Sequence, residues 1–129
     1  MKYAANIAGG LLGLLFIIFG LNFFLNFFPM PADPSPPEAP HKQFFAAIYP
    51  TGYLAFVKIV EVLGGILVAI PKTRNFGLVV LGPVIVNILC FHIFLTKGAT
   101  LIDPVNIAIT LLAGFLVWSA RHSFARLLN

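Results

Sequence analysis

In the apolar stretch GYLAFVKIVEVLGG, Lys58 and Glu61 stand three residues apart. On a helix that spacing puts both on one side, close enough to touch. A second stretch, PVIVNILCFHIFL, carries Asn87, Cys90 and His92. Asn22 and Asn26 are four apart upstream, Asn106 and Thr110 are four apart downstream, and Tyr53 opens the Lys58 stretch. In hydrocarbon an ionisable side chain is costly unless it is paired or hydrated. Glu61 so placed could move a proton or hold a polar head group, with Lys58 as its counter-ion. Catalysis by the chain itself is not indicated. It has no paired carboxylates at catalytic spacing, no nucleophile motif and no metal-ligand cluster beyond His92 with Glu61. A haem is not expected either, because it needs two histidines at matched depth, and His41 and His122 fall outside the apolar stretches. The single Cys90 reads as a small buried hydrophobe.

The elements that must position these groups follow from composition. The chain has 129 residues, 60% apolar and 9% charged, far from the balance of a water-soluble domain. A net charge of +4 without a basic run excludes tracking of nucleic-acid phosphates. One cysteine excludes an internal disulfide framework. Uninterrupted apolar runs of about 20 residues, enough to cross a hydrocarbon core of roughly 30 Å, occur at about residues 4–28, 51–70, 76–95 and 104–120. Lipid forces each to be helical, since the backbone must satisfy its own hydrogen bonds there. The expected fold is all-α: a single integral membrane four-helix bundle. The first run follows Lys2 but is too long for a signal peptide, and no small-x-small cleavage site follows it, so a retained helix is expected. Pro71 stops the second helix, Asn75 is the expected N-cap of the third, and Asp103-Pro104 starts the fourth.

Orientation comes from counting cations. With both termini cytoplasmic, Lys2, Lys72, Arg74, Arg121 and Arg126 lie inside, and Lys42 and Lys97 outside. That asymmetry is the one the positive-inside rule demands. The longest connection, residues 29–43, is an outer loop holding six of the ten prolines. It should be an extended strap and not a helix. FFAAIYP after it, from Phe44 to Pro50, reads as an interfacial helix or as the outer turn of the second span.

Depth makes the polar residues converge. At about 1.5 Å per residue, Asn22, Lys58, Asn87, His92, Asn106 and Thr110 fall in the outer halves of their helices, with Glu61 near the middle and Tyr53 at headgroup level. The inner halves read as aliphatic, Phe and Gly. The expectation is a ligand-binding pocket in the outer half, lined by Glu61, Lys58, Asn87, His92, Asn22, Tyr53, Asn106 and Thr110. The alternative is an ion pair that only fixes helix register. Gly9, Gly13, Gly20, Gly64, Gly65, Gly77, Gly82 and Gly114 should allow close helix approach; a homodimer through such residues stays open. Pro83 should kink the third helix one turn before Asn87.

The stretches TGYLAFVKIVEVLGGILVAI and LGPVIVNILCFHIFL, joined by a short basic turn, resemble the DoxX-like family of small four-helix membrane proteins. Gly52-Tyr53, Lys58, Glu61, Gly64-Gly65, Pro83, Asn87 and Phe91-His92 carry the resemblance. It implies a bacterial inner-membrane protein linked to membrane redox assemblies and to quinone. The functional expectation is an accessory subunit that binds a small amphipathic molecule, a quinone among the candidates, beside redox partner proteins. A proton-coupled small-molecule transporter and a purely structural membrane protein are the competing readings.

Overall fold

The computed structural model describes residues 2–30, 32–98 and 103–128. Pro31 of the strap and residues 99–102 of the connection before α5 lie outside the described residues. The protein is all-α, with no strand among the described residues. The helices are α1 (Lys2–Leu25), α2 (Pro40–Ile48), α3 (Tyr53–Ala69), α4 (Arg74–Cys90), α5 (Pro104–Ser119) and α6 (Arg121–Ala125). A 3-10 turn, Pro71–Thr73, links α3 to α4; a wide π-helical turn, Phe91–Leu95, extends α4; and a 3-10 turn, Arg126–Leu128, follows α6. Lys2–Leu25 and Pro71–Leu95 are each long and apolar enough to cross a membrane. The number rises to four if α2 with α3, bent by 88°, and α5 with α6, bent by 72°, each form one broken span.

Helix ends explain the differences from the expected boundaries. α1 stops at Leu25, not Phe28, because Asn26 turns left-handed at φ 53° and closes the helix from outside. Its N–H donates to the Asn22 carbonyl at 2.9 Å, and the Phe28 N–H donates to Asn22 Oδ1 at 3.0 Å. The strap is shorter than expected, because helix α2 begins at Pro40. Proline is tolerated in a first turn, where its missing N–H would have had no partner.

The α3–α4 junction departs furthest from expectation. Thr73, not Asn75, precedes the first residue of α4, and its side chain does not cap that helix. The hydroxyl points back to α3, donating to the Leu67 carbonyl at 2.7 Å. Arg74 Nε donates to the Val68 carbonyl at 3.0 Å, and the Ile70 N–H donates to the Ile66 carbonyl at 3.3 Å. Three carbonyls of the last turn of α3, which have no partners within the helix, are thereby satisfied by the chain that follows. A guanidinium at a helix C-terminus also suits the macrodipole. At α5 the expected start holds: Asp103 Oδ1 accepts from the Val105 N–H at 3.0 Å, and Pro104 occupies the first turn.

α1 and α3 form the central pair, and α1 faces both α3 and α5, while α4 lies on the far side of α3 and barely touches α5. Leu12, Phe16, Val68, Leu78, Leu81, Ile109, Ala113 and Leu116 form the buried core between these helices. Backbone meets backbone at the α1–α3 crossing. A Cβ on Gly13 would lie 2.4 Å from the Gly65 carbonyl oxygen, and one on Gly65 would lie 2.8 Å from the Gly13 oxygen. Gly82 and Gly114, also expected at interfaces, instead face open space. α4 runs unbroken through Pro83. The outward faces carry Leu11, Leu14, Leu63, Phe76, Val86 and Leu111, each at least half exposed. So much apolar surface on every long helix suits contact with lipid.

Candidate functional site

Glu61 lies in the middle of α3, 6% exposed. Its Oε1 is 3.5 Å from Lys58 Nζ, and the lysine side chain stays a quarter exposed. Helical spacing alone produces this contact, while the Gly64-Gly65 surface one turn on lets neighbouring helices cover the carboxylate. Asn106, 5% exposed, is buried at the start of α5, and the Thr110 hydroxyl donates to the Asn106 carbonyl at 2.9 Å.

Other candidates point elsewhere. Asn87 is exposed and turned onto its own helix, its Nδ2 donating to the Pro83 carbonyl at 3.0 Å. Tyr53 is 59% exposed at the first turn of α3. Asn22 is buried, but its Oδ1 is committed to the Phe28 N–H. Of the eight candidates, only Asn22 and His92 line either of the two clefts described next.

The first cleft, about 570 Å³, is lined by Asn22, Phe23, Asn26, Phe28, Met30 and Tyr49, among others, where α1 ends near the end of α2. Phe23 and Tyr49 meet edge to face at 5.7 Å. The second cleft, about 420 Å³, lies between the strap with α2 on one side and the π-helical turn on the other. It is the richer of the two in chemistry. His41 comes from α2, His92 from the π-helical turn, and Asp33 and Asp103 line the rim. The Phe91 ring contacts both imidazoles, 6.2 Å from His41 and 5.3 Å from His92, and lies 5.1 Å from Phe45. A π-helical turn widens the helix by one residue, a distortion frequent at functional sites. Here the wide turn is closed by the His92 carbonyl, which accepts from the Thr96 hydroxyl and the Gly98 N–H, both at 2.7 Å.

One wall of this cleft is clasped to the strap. His41 Nε2 lies 2.7 Å from Asp33 Oδ2, and the Ser35 N–H donates to Asp33 Oδ1 at 2.9 Å. Lys42 Nζ donates to the carbonyls of Asp33 and Ser35. The Ser35 N–H and hydroxyl, then His41, hold the Asp33 carboxyl well below the usual carboxylate range. Strap residues and the first turn of α2 are thereby joined by side chains, although the prolines deny the strap a regular hydrogen-bond ladder. His41 counted in the sequence only as an unsuitable haem ligand. Its eight-residue separation from Asp33 carries no helical or strand period, so no spacing argument could have paired them.

The burial of Arg74 was not legible in the sequence. Arg74 stands at the turn between α3 and α4, as expected, but is only 9% exposed. Besides Val68, it donates through Nη1 to Asn6 Oδ1 of α1 at 3.2 Å. Gly9 makes the space, since a Cβ there would lie 2.3 Å from Arg74 Nε. The signal was present as Asn6 and Gly9 on one face of α1, but nothing in the sequence pairs them with residue 74.

No group of three or more His, Cys, Asp or Glu that could hold a metal occurs among the described residues. Comparisons with protein-family models, with curated proteins and with solved structures each find no match. Function must therefore be argued from the chain's own geometry.

Proposed function

We propose that this chain is a multi-pass membrane protein of four spans, both termini cytoplasmic, that binds a small amphipathic molecule at its outer end. In this reading it serves as an accessory subunit of a bacterial inner-membrane redox assembly, and the electron transfer belongs to a partner or cofactor. The observation that carries the reading is the cleft between α2 and the π-helical turn, where two imidazoles contact one aromatic ring. Aromatic faces take a flat apolar body, and few, well-placed polar groups fix its orientation. A quinone headgroup suits that lining: Phe45 and Phe91 against its ring, and the His41 and His92 imidazoles beside its polar edge.

The cation distribution supports the topology, and the DoxX-like resemblance supports the redox setting. The Lys58–Glu61 pair takes a separate role, as an internal contact that holds α3 in register. The test is titration of the purified protein in nanodiscs with a short-chain benzoquinone, followed through the ring resonances of His41 and His92. Both should shift on binding, and Phe91→Ala should abolish the shifts. Resonances that stay still in the native chain at saturating quinone would refute quinone binding in this cleft.

A further inference from the structure

The opposite end of the molecule has a chemistry of its own. Asp103 and His92 line the same cleft, so α5 begins beside the far end of α4. Its 16 residues carry the chain about 24 Å back. There α5 gives way to α6, bent by 72°, and Phe124 packs onto the common core. Arg74 and Asn6 meet at this same end. Lys2, Lys72, Arg121 and Arg126 are all exposed there. The chain's four acids, Asp33, Glu38, Glu61 and Asp103, lie in the strap, in mid α3 or at the start of α5. Among the described residues, this end therefore has cations and no Asp or Glu side chain beside them.

Its apolar groups are arranged to match. Trp118 is 54% exposed, Leu127 71% and Leu128 88%. The Arg121 guanidinium stacks over the Trp118 ring at 4.4 Å, and its Nη1 donates to the Trp118 carbonyl at 2.9 Å. With α5 upright in a bilayer, a 72° bend lays α6 and the residues after it near the membrane plane. Such a segment can place leucines and an amphipathic indole in the interface while arginines remain at phosphate level.

We propose that this end is a binding surface for anionic phospholipid headgroups, with Arg121, Arg126, Lys72 and Lys2 as the cationic contacts. The proposal rests on the membrane-spanning reading above but not on the outer cleft. Charge complementarity selects the occupant, because cations beside an anionic leaflet are attracted strongly and those beside a zwitterionic one are not.

The chain's single tryptophan sits in the surface and reports on it. The full protein is placed in phosphatidylcholine nanodiscs containing an equal minor fraction of brominated phosphatidylglycerol or brominated phosphatidylcholine. Bromine quenches an indole at contact range. The expected result is stronger Trp118 quenching by the brominated phosphatidylglycerol, a preference that salt weakens. Arg126→Gln, which leaves the Arg121–Trp118 stack intact, should reduce the preference, and the Arg121→Gln/Arg126→Gln pair should abolish it. Lys42→Gln, at the outer end, should leave it unchanged. Equal quenching of the native chain by both lipids overturns the lipid preference alone. A preference that survives the double replacement overturns the assignment to these arginines. Absence of quenching by either lipid overturns the membrane-spanning reading itself.

Discussion

Replacing Gly13 by alanine tests the α1–α3 crossing on which the whole arrangement hangs. The added methyl would sit 2.4 Å from the Gly65 carbonyl oxygen and 2.9 Å from Ala69 Cβ. A carbonyl in mid-helix cannot rotate away, so the helices must separate by about half an ångström or more. A gap of that order forfeits roughly a quarter or more of each affected dispersion contact, and overpacking of this kind costs about 1–3 kcal/mol. Higher helix propensity returns up to about 1 kcal/mol. Gly114→Ala gains the same propensity with nothing within 4 Å of its methyl, so it is the natural control. Unfolding in mixed micelles by rising denaturing detergent, followed by circular dichroism, should place Gly13→Ala below Gly114→Ala by about 1–3 kcal/mol. Equal midpoints would mean that the two backbones do not meet at Gly13 and Gly65, and the crossing would be wrong.

Other consequences can be checked by similar means. Gly9→Ala should expel the Arg74 guanidinium and cost about 1.5–3 kcal/mol, the usual worth of hydrogen bonds to a charged group; the same unfolding assay reads it, and an unchanged midpoint denies the buried latch. Lys58→Met should destabilise by about 1–3 kcal/mol by leaving Glu61 unpaired, a range reduced from that of a fully buried pair because the lysine is partly exposed, while Lys58→Met with Glu61→Leu should return close to the native midpoint. As a register contact, that pair also predicts no pH-gradient-driven drug uptake in proteoliposomes, and measurable coupled flux would favour the transporter reading. The Asp33 carboxyl is held low in the folded strap, so its contribution is fully present above its ordinary unfolded value and is lost only as pH falls through the depressed folded one. The Asp33 carboxyl carbon resonance should therefore titrate below 3.8, and a midpoint at or above that value would mean the clasp does not form in solution.

Four apolar stretches and most of their ends were legible in the sequence, because lipid-length hydrophobicity, proline and N-cap residues are local signals. Asp103-Pro104 starts α5 where its residue types demand it, and Lys58 and Glu61 touch because helical spacing alone brings them together. Tertiary structure decided what depth along a helix cannot encode, which is rotation. Asn87 shares a depth with its neighbours yet turns outward onto the Pro83 carbonyl, and Gly82 and Gly114 face open space while Gly13 and Gly65 meet. Only the folded chain brings Asp33 to His41, His41 and His92 to one cleft, and Arg74 into the space left by Gly9. Each of those contacts joins residues with no common period, so their proximity depends on how the helices pack and how the connections fold back.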